Sequence, residues 1–265
     1  KLAAIEAEWH TVEPPAAFTL FGLPNQETME TDYAVKIPYL MGIIATRSFD
    51  TPVMGIHDII AEDELRIRNG MIAYGLLQQL RNGQKDEATI QKFEAVKQDL
   101  GYGLLLKKYT DDVTNATEEQ IKMASHDTIP HVATIFWSFR VMVASGFTML
   151  IIFALAFYHC AKRQEYKKRW LLWSALFALP LPWIAAESGW IVAEVGRQPW
   201  TISGILPTHL SASSLSFDTV FNSLTAIIIF YTLLFIIEMY LMIRFARLGP
   251  SSLHTGQYHF EKNQG

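Results

Sequence analysis

Hydrophobic positions are distributed unevenly along this chain of 265 residues. The first 130 residues are rich in charge and interrupted by Pro and Gly, whereas residues 131–247 contain three long apolar runs. These runs cover about residues 132–161, 170–195 and 217–245, and each provides the roughly 20 residues with which a helix crosses the hydrocarbon of a bilayer. The pattern predicts an all-α membrane protein. Three transmembrane helices, part of a larger helical bundle, follow a helical extramembrane loop region.

Prolines and glycines subdivide this pattern. Pro180 and Pro182 interrupt the second apolar run and predict a kink, because proline cannot donate a helical backbone hydrogen bond. The opening stretch "KLAAIEAEW" predicts a helix. Residues 13–32 contain the Pro, Gly and Asn that are typical of irregular surface chain.

Three further helices are predicted in the second half of the loop region. The first begins near Asp58 and ends at Gly83, and the second covers residues 86–100 and stops near Gly101 and Gly103. The third lies in "TNATEEQIKMAS", where Thr117 is the expected N-cap.

Basic residues favour one orientation in the membrane. The loop "KRQEYKKR" at 162–169 has five Lys or Arg residues and "RFAR" at 244–247 has two, whereas residues 196–216 contain only Arg197. Because Lys and Arg concentrate on the cytoplasmic side, residues 1–130 are expected on the periplasmic side and the tail, 248–265, in the cytoplasm.

Charge and cysteine content exclude some classes of function. The net charge is −4 and no basic stripe with interleaved aromatics is present, which argues against a nucleic-acid partner. The single cysteine, Cys160, excludes a disulfide or a Cys-based metal site within the chain. The chain begins at Lys1 rather than Met, which indicates a processed chain or a piece of a longer one.

The end of the second run contains ionisable residues at bilayer depth, where they are costly unless paired, ligated or hydrated. On a helix, Glu187, Trp190 and Glu194 fall within about 60° of one another, and Arg197 continues this face one turn later. Simple neutralisation would pair Glu194 with Arg197 at i, i+3, but it leaves Glu187 without a local partner.

The first run contains Arg140 at a depth of about 12 Å by helical rise. We expect this guanidinium to meet an anion held between helices. The small residues Ala144, Ser145 and Gly146 suggest room for a bulky anionic cofactor, such as a haem with its propionates. Met142 taken alone predicts only packing.

Several stretches, taken together, resemble subunit I of cytochrome bd quinol oxidase. They are "WIAAESGWIVAEVGRQPW", "FRVMVA", "KLAAIEAEW" and "FARLGPSSLHTGQYHFE". The resemblance covers essentially the whole chain and corresponds to the C-terminal half of that subunit: the later part of its quinol loop and its last three transmembrane helices.

The resemblance implies roles for five residues near cofactors. Met142 matches an axial ligand of the low-spin haem b, and Arg140 matches the arginine beside that haem. Glu194 matches the ligand of the high-spin haem b. Trp190 matches a tryptophan between haem groups, and Arg197 matches an arginine near haem propionates.

The resemblance also implies that Lys1 and Glu6 take part in quinol oxidation. The residues alone favour solvated surface charges at both positions, and their i, i+5 spacing predicts no salt bridge between them. Glu187 fits the motif, but no role carries over to it.

The implied activity is oxidation of ubiquinol or menaquinol at the outer face of the bacterial inner membrane, with reduction of O₂ to water and formation of a proton gradient. The implied cofactors are low-spin haem b, high-spin haem b and haem d. The implied partners are the N-terminal half of the same subunit, oxidase subunit II, a small single-span subunit and membrane lipid. The fragment alone is not expected to be active.

Two other classes of function remain open from the residues. Glu187, Glu194 and Glu238 could serve as relay carboxylates in a proton or ion pathway of a transporter. Alternatively, the spans could anchor a receptor whose loop region binds a partner. Bound haem distinguishes the oxidase from both.

Overall fold

The computed structural model describes residues 1–45, 51–83, 86–162 and 168–248. The chain is mostly helical and divides into two compact units, Lys1–Ala212 and Ser213–Gly265. Its helices in chain order are α1 (Leu2–Glu6), α2 (Leu40–Ala45), α3 (Ile56–Arg81), α4 (Glu87–Val96), α5 (Leu100–Leu105), α6 (Glu118–Asp127), α7 (Val132–Ala161), α8 (Arg169–Phe177), α9 (Leu181–Val195) and α10 (Phe217–Leu248). The strands in these residues form two antiparallel hairpins, β1 (Phe18–Asn25) with β2 (Glu30–Ile37) and β3 (Trp200–Ile202) with β4 (Leu206–Pro207).

Three helical stretches in the described part of the chain are long and apolar enough to cross a membrane. The first stretch contains α7, the second contains α8 and α9, and the third contains α10. Helix α7 has the predicted bounds, and α10 continues to Leu248 rather than ending at residue 245. The apolar side chains of α10 are exposed around the helix, as expected of a span that lipid or other helices cover. The predicted helical fold class and its three spans are confirmed.

The predicted kink in the second span is a full break between α8 and α9. Pro180 stands before the first residue of α9, and Pro182 follows in its first turn. Because Pro182 has no N–H, it cannot bond the carbonyl of Ala178, four residues earlier. The N–H of Leu181 donates to that carbonyl instead, at 3.0 Å.

One apolar core cluster of the first unit lies between α7 and α9 and beneath α1. Ile135 and Phe136 of α7 are fully buried in one cluster with Val192 of α9. From α1, Ala3 and Ala4 pack into the same cluster. Their small side chains allow the backbone of α1 to approach α7 closely.

The prediction of irregular chain over residues 13–32 is wrong, because β1 and β2 pair there as a hairpin. Aromatic and β-branched residues in the two strands outweigh Gly22 and Pro24, which both lie within β1. The connecting turn is stabilised by the side chain of Asn25, which accepts the backbone N–H groups of Glu27 and Thr28.

Helices α3 and α6 agree with the predictions. Helix α3 begins two residues before Asp58, and Gly83 follows its end with a φ of 95°. Thr117 caps α6: its side chain accepts the N–H of Gln120, and the Gln120 side chain accepts the N–H of Thr117. This reciprocal arrangement is a capping box.

The predicted bounds of the second helix of this region are wrong. Helix α4 ends at Val96, and after one tight turn α5 runs through Gly101 and Gly103 instead of stopping there. A Cβ atom on Gly103 would overlap the backbone of Gly70 in α3, and one on Gly101 would overlap the carbonyl of Gly204. These glycines allow close backbone contact, so they do not mark a helix end.

We expect Gly70→Ala to destabilise the layer formed by α3, α4, α5 and α6. The added Cβ would lie 2.7 Å from the Cα of Gly103 and closer still to two other backbone atoms of α5 and the turn before it. Overpacking of this kind costs about 1–3 kcal/mol. Thermal unfolding of the purified complex that contains the chain measures the effect.

The matched control is Gly75→Ala in the same helix. Its Cβ would meet only the Thr114 methyl carbon, at 3.4 Å. Alanine should therefore stabilise this position by up to about 1 kcal/mol through its helix propensity. Equal unfolding temperatures for the two variants would contradict the close packing.

Candidate functional site

Arg140 of α7 is buried, with 9% of its surface exposed, and acceptors within the chain bond all five of its N–H donors. Four of these acceptors are main-chain carbonyls. Nε donates to Leu20 of β1 at 3.1 Å, and Nη1 donates to Ile5 of α1 at 2.9 Å. Nη1 also donates to Phe136 at 3.0 Å, and Nη2 donates to Thr19. One side chain therefore joins α1 and β1 to the membrane helix.

The fifth N–H of Arg140 bonds the carboxylate of Glu6. Nη2 donates to Oε2 at 3.1 Å, and both side chains are buried. Within the described chain, the anion that meets Arg140 is Glu6 of α1 and not a group held between the transmembrane helices. A haem propionate near Arg140 stays a prediction.

Glu6, the last residue of α1, has only 2% of its surface exposed. Burial raises the pKa of Glu6 to about 7, although the positive charge of Arg140 and hydrogen bonds from Arg140 and the Thr19 backbone act to lower it. A carboxyl with this pKa can exchange a proton near neutral pH. The expectation of a solvated surface charge is wrong for Glu6, because β1 and α7 cover it.

A second buried carboxylate lies close to Glu6. Glu8 is 6% exposed and forms an ion pair with Lys36 of β2, with distances of 3.0 and 3.2 Å from Nζ to the two carboxylate oxygens. The hydroxyl of Thr19 donates to Oε1 of Glu8 at 3.4 Å. Glu6 and Glu8 thus share Thr19 as a neighbour.

Lys1 lies against the end of α9. Its Cε is 2.8 Å from the position that a Cβ on Gly196 would occupy. As its spacing predicts, Lys1 forms no ion pair with Glu6 among the described residues. The two residues implied in quinol oxidation therefore face different surroundings.

A cavity of about 530 Å³ lies beside Lys1. Burial raises the pKa of one of its lining residues, Asp63, against an opposing hydrogen bond from Thr128. The cavity brings groups from α1, α3 and the end of α9 to one space. Its charged and polar lining includes Lys1, Asp63, Tyr102, Glu194, Arg197 and Gln198.

The carboxylates of α9 differ in their pairing. Arg197 forms an ion pair with Glu194, as simple neutralisation predicts. Glu187 is exposed and has no ion pair in the described part of the chain. This agrees with the sequence, which offers no local partner for it. Trp190 is 63% exposed. Its proposed place between cofactors stays a prediction.

Met142 is half-buried in the seam between α7 and α9. Its sulfur lies 3.1 Å from the position that a Cβ on Gly189 would occupy, so the glycine leaves room for the thioether. Although only two positions apart in sequence, Met142 and Arg140 are rotated by about 200° around α7. The two side chains therefore lie on different sides of α7.

These residues fit the haem groups that the resemblance implies. The thioether of Met142 is an established type of haem ligand. Glu194 lines a cavity whose volume falls within the range of cofactor pockets, and Arg197 beside it provides a cation for a propionate. The two proposed ligands lie on different helices. Iron ligation by either residue stays a prediction.

Sequence reasoning missed the residues that connect Glu6 to its surroundings. Glu8 lies in "KLAAIEAEW" but receives no role from the resemblance, and Thr19 and Lys36 belong to no motif. The carbonyl groups of β1 that bind Arg140 depend on a hairpin, where the sequence predicts irregular chain. The alternation of apolar and polar residues in "ETDYAVKI" could have revealed β2 and, with it, Lys36. Its pairing with Glu8 depends on the fold alone.

Comparison with known proteins identifies the family of the chain. The family model described as cytochrome bd terminal oxidase subunit I matches residues 1–250. The cytochrome bd-II ubiquinol oxidase subunit 1 of Escherichia coli (strain K12) is 42% identical over 257 residues, which cover 97% of this chain and 50% of that protein. The cytochrome bd ubiquinol oxidase subunit 1 of Bacillus subtilis (strain 168) is 24% identical over 250 residues, which cover 94% of this chain and 42% of that protein.

The chain thus spans about half the length of the curated relatives it matches. The matched region contains every candidate site residue, from Lys1 and Glu6 to Glu194 and Arg197. The resemblance seen in the sequence is confirmed, and the chain belongs to the cytochrome bd terminal oxidase subunit I family.

Proposed function

We propose that the chain is part of the haem-bearing subunit of a quinol:oxygen oxidoreductase that generates a proton gradient in respiration. The observation that carries this proposal is the buried pair of Glu6 and Arg140. It places a carboxyl with a pKa of about 7 beside a membrane helix. Family membership supports the oxidase class, since both relatives are named ubiquinol oxidase subunits.

Quinol oxidation releases two protons and two electrons, so the site must provide a base. In its ionised form, Glu6 accepts a proton from a quinol hydroxyl. Arg140 holds the Glu6 carboxylate in place, and Lys1 donates a hydrogen bond to the other quinone oxygen. Ubiquinol and menaquinol both offer these hydroxyl groups.

The same proposal assigns the cofactor residues. Met142 would hold the low-spin haem b, and Glu194 the high-spin haem b. Arg197 would face propionates, and Trp190 would stand one turn before Glu194. When bound, these groups and haem d supply electron transfer and the reduction of O₂ to water. Glu187 receives no assigned role.

The proposed location is the bacterial inner membrane. Residues 1–130 would lie on the periplasmic side, residues 131–247 in the membrane and the tail, 248–265, in the cytoplasm, following the distribution of Lys and Arg. Residues 163–167 of the basic loop and residues 249–265 of the tail lie outside the described residues.

The proposed partners are the N-terminal half of the subunit, oxidase subunit II, a small single-span subunit and lipid. Large apolar side chains exposed along the spans support such partners. Phe147, Phe157, Trp173 and Phe177 are each more than half exposed. Such a surface requires lipid or neighbouring helices to cover it.

We expect kcat/KM for quinol to rise with pH through about 7, because the ionised form of Glu6 is the base and its pKa has that value. Glu6→Gln removes the base and should lower kcat/KM by about 10²–10⁴-fold, with loss of this acidic limb. Oxygen consumption by the purified full complex measures both effects. If kcat/KM of the variant still rises with pH near 7, Glu6 is not the titrating base. A haem spectrum equal to that of the wild type excludes cofactor loss as the cause of the lower activity.

We expect Met142→Leu to lose the normal low-spin haem b signal and Glu194→Ala to lose the high-spin one. Met142→Leu removes the sulfur, and Glu194→Ala removes both carboxylate oxygens, with which the side chain could bind iron. The measurement is a dithionite-reduced minus air-oxidised absorbance spectrum of the full complex.

Met123→Leu on α6 and Glu238→Ala in α10 are the controls and should leave the spectrum unchanged. Unaltered haem signals in both test variants would contradict the ligand assignments. A colourless preparation of the full complex would instead favour a proton-pathway function.

A further inference from the structure

We propose that Glu8 relays the protons that Glu6 takes from quinol to solvent beside Lys36. This inference rests on the proposed function of Glu6 as the base in quinol oxidation. It assigns a role to a buried carboxylate that the quinol and haem assignments leave unused.

Glu6 needs a route by which its proton can leave. Only 2% of its surface is exposed, and a quinol hydroxyl that binds Glu6 would occupy that opening, so water has almost no direct access to it. Its ion-pair partner, Arg140, cannot accept a proton, because a guanidinium has only donors. Each quinol delivers two protons, so Glu6 must release the first before it can accept the second.

Glu8 is the neighbouring group that can take this proton. Thr19 lies between the two carboxylates: its backbone bonds Glu6, and its hydroxyl donates to Oε1 of Glu8 at 3.4 Å. The negative charge of Glu8 also acts to raise the pKa of Glu6, because two nearby carboxylates repel each other. The shared neighbour Thr19 and the charge of Glu8 therefore both couple the two carboxylates.

Lys36 gives this pair its connection to solvent. The Lys36 side chain is 42% exposed, whereas that of Glu8 is 8% exposed, so the ion pair extends from the interior to the surface. The ammonium group stabilises a negative charge on Glu8 and so favours return of the carboxylate after each release. The charged groups facing Glu8 are Glu6 from α1 and Lys36 from β2, and Arg140 of α7 faces Glu6.

The transfer is balanced in protons and electrons. One quinol loses two hydroxyl protons and two electrons and becomes quinone, and the electrons pass to the acceptors of the oxidase. Each proton binds a carboxylate oxygen of Glu6, then one of Glu8, then a water molecule. Glu6 and Glu8 end each cycle as carboxylates.

The test uses the full oxidase complex with Glu8→Gln, which keeps the size of the side chain but cannot accept a proton from Glu6. We expect kcat for quinol to fall about tenfold or more, with KM unchanged and a larger solvent deuterium isotope effect. Oxidation of tetramethyl-p-phenylenediamine, which supplies electrons without protons, should stay at the wild-type rate. Glu8→Asp should restore most of the quinol activity.

Two further variants separate relay from structure. Lys36→Gln removes the cation that favours the ionised form of Glu8 but keeps the Glu8 carboxylate, so kcat should fall clearly less than in Glu8→Gln. Glu13→Gln changes an exposed carboxylate on the same segment and should have no effect. Equal losses in Glu8→Gln and Lys36→Gln, or a parallel loss of phenylenediamine oxidation, would overturn the relay.

Glu6→Gln, assayed in parallel, distinguishes this inference from the proposed function. If Glu6→Gln is slow and Glu8→Gln retains the wild-type kcat, the relay is wrong while Glu6 remains the base. If Glu6→Gln oxidises quinol at the wild-type rate, the proposed role of Glu6 fails and the relay fails with it.

Discussion

A single guanidinium group joins the membrane helix α7 to the two segments at the start of the chain. Arg140 donates to carbonyls of α1, β1 and α7 and to the carboxylate of Glu6, so its five donors are all used inside the protein. Its Cζ also lies 3.3 Å from the centre of the Phe136 ring. Removing one partner of a buried ion pair costs about 3–5 kcal/mol, because the other charge remains without compensation. The position of α1 and β1 against the membrane helix depends on this group.

The same constraint sets the chemistry of Glu6. Burial and the positive charge of Arg140 act on its carboxyl in opposite directions, and burial has the larger effect, so its pKa rises to about 7. An exposed glutamate would have given up its proton several pH units lower. A carboxylate without a cation nearby would be too costly to bury. The pair therefore keeps Glu6 both buried and able to change its protonation state near neutral pH.

The sequence predicted the features that depend on local pattern. Long apolar runs located α7 and α10, two prolines located the break before α9, and Thr117 located the start of α6. It failed where the outcome depends on distant residues. In the sequence the glycines of α5 resemble helix breakers, but in the fold they allow close contact with α3. Glu6 resembles a surface charge in the sequence, but in the fold β1 covers it. Family resemblance drew attention to Arg140 and Glu6, but neither resemblance nor spacing showed that they bind each other.

The backbone contact between α3 and α5 restricts how the chain can change during evolution. Sliding α5 by one residue would bring Tyr102 or Leu104 against the α3 backbone, where only the hydrogen of Gly103 fits at present. Gly101 makes a similar contact with Gly204, between β3 and β4, a few residues after Arg197. An insertion or deletion within α5 would therefore disturb two interfaces at once. Substitutions on the exposed face of α5 meet no such barrier. Among related chains, the length of α5 should therefore vary far less than its amino-acid composition.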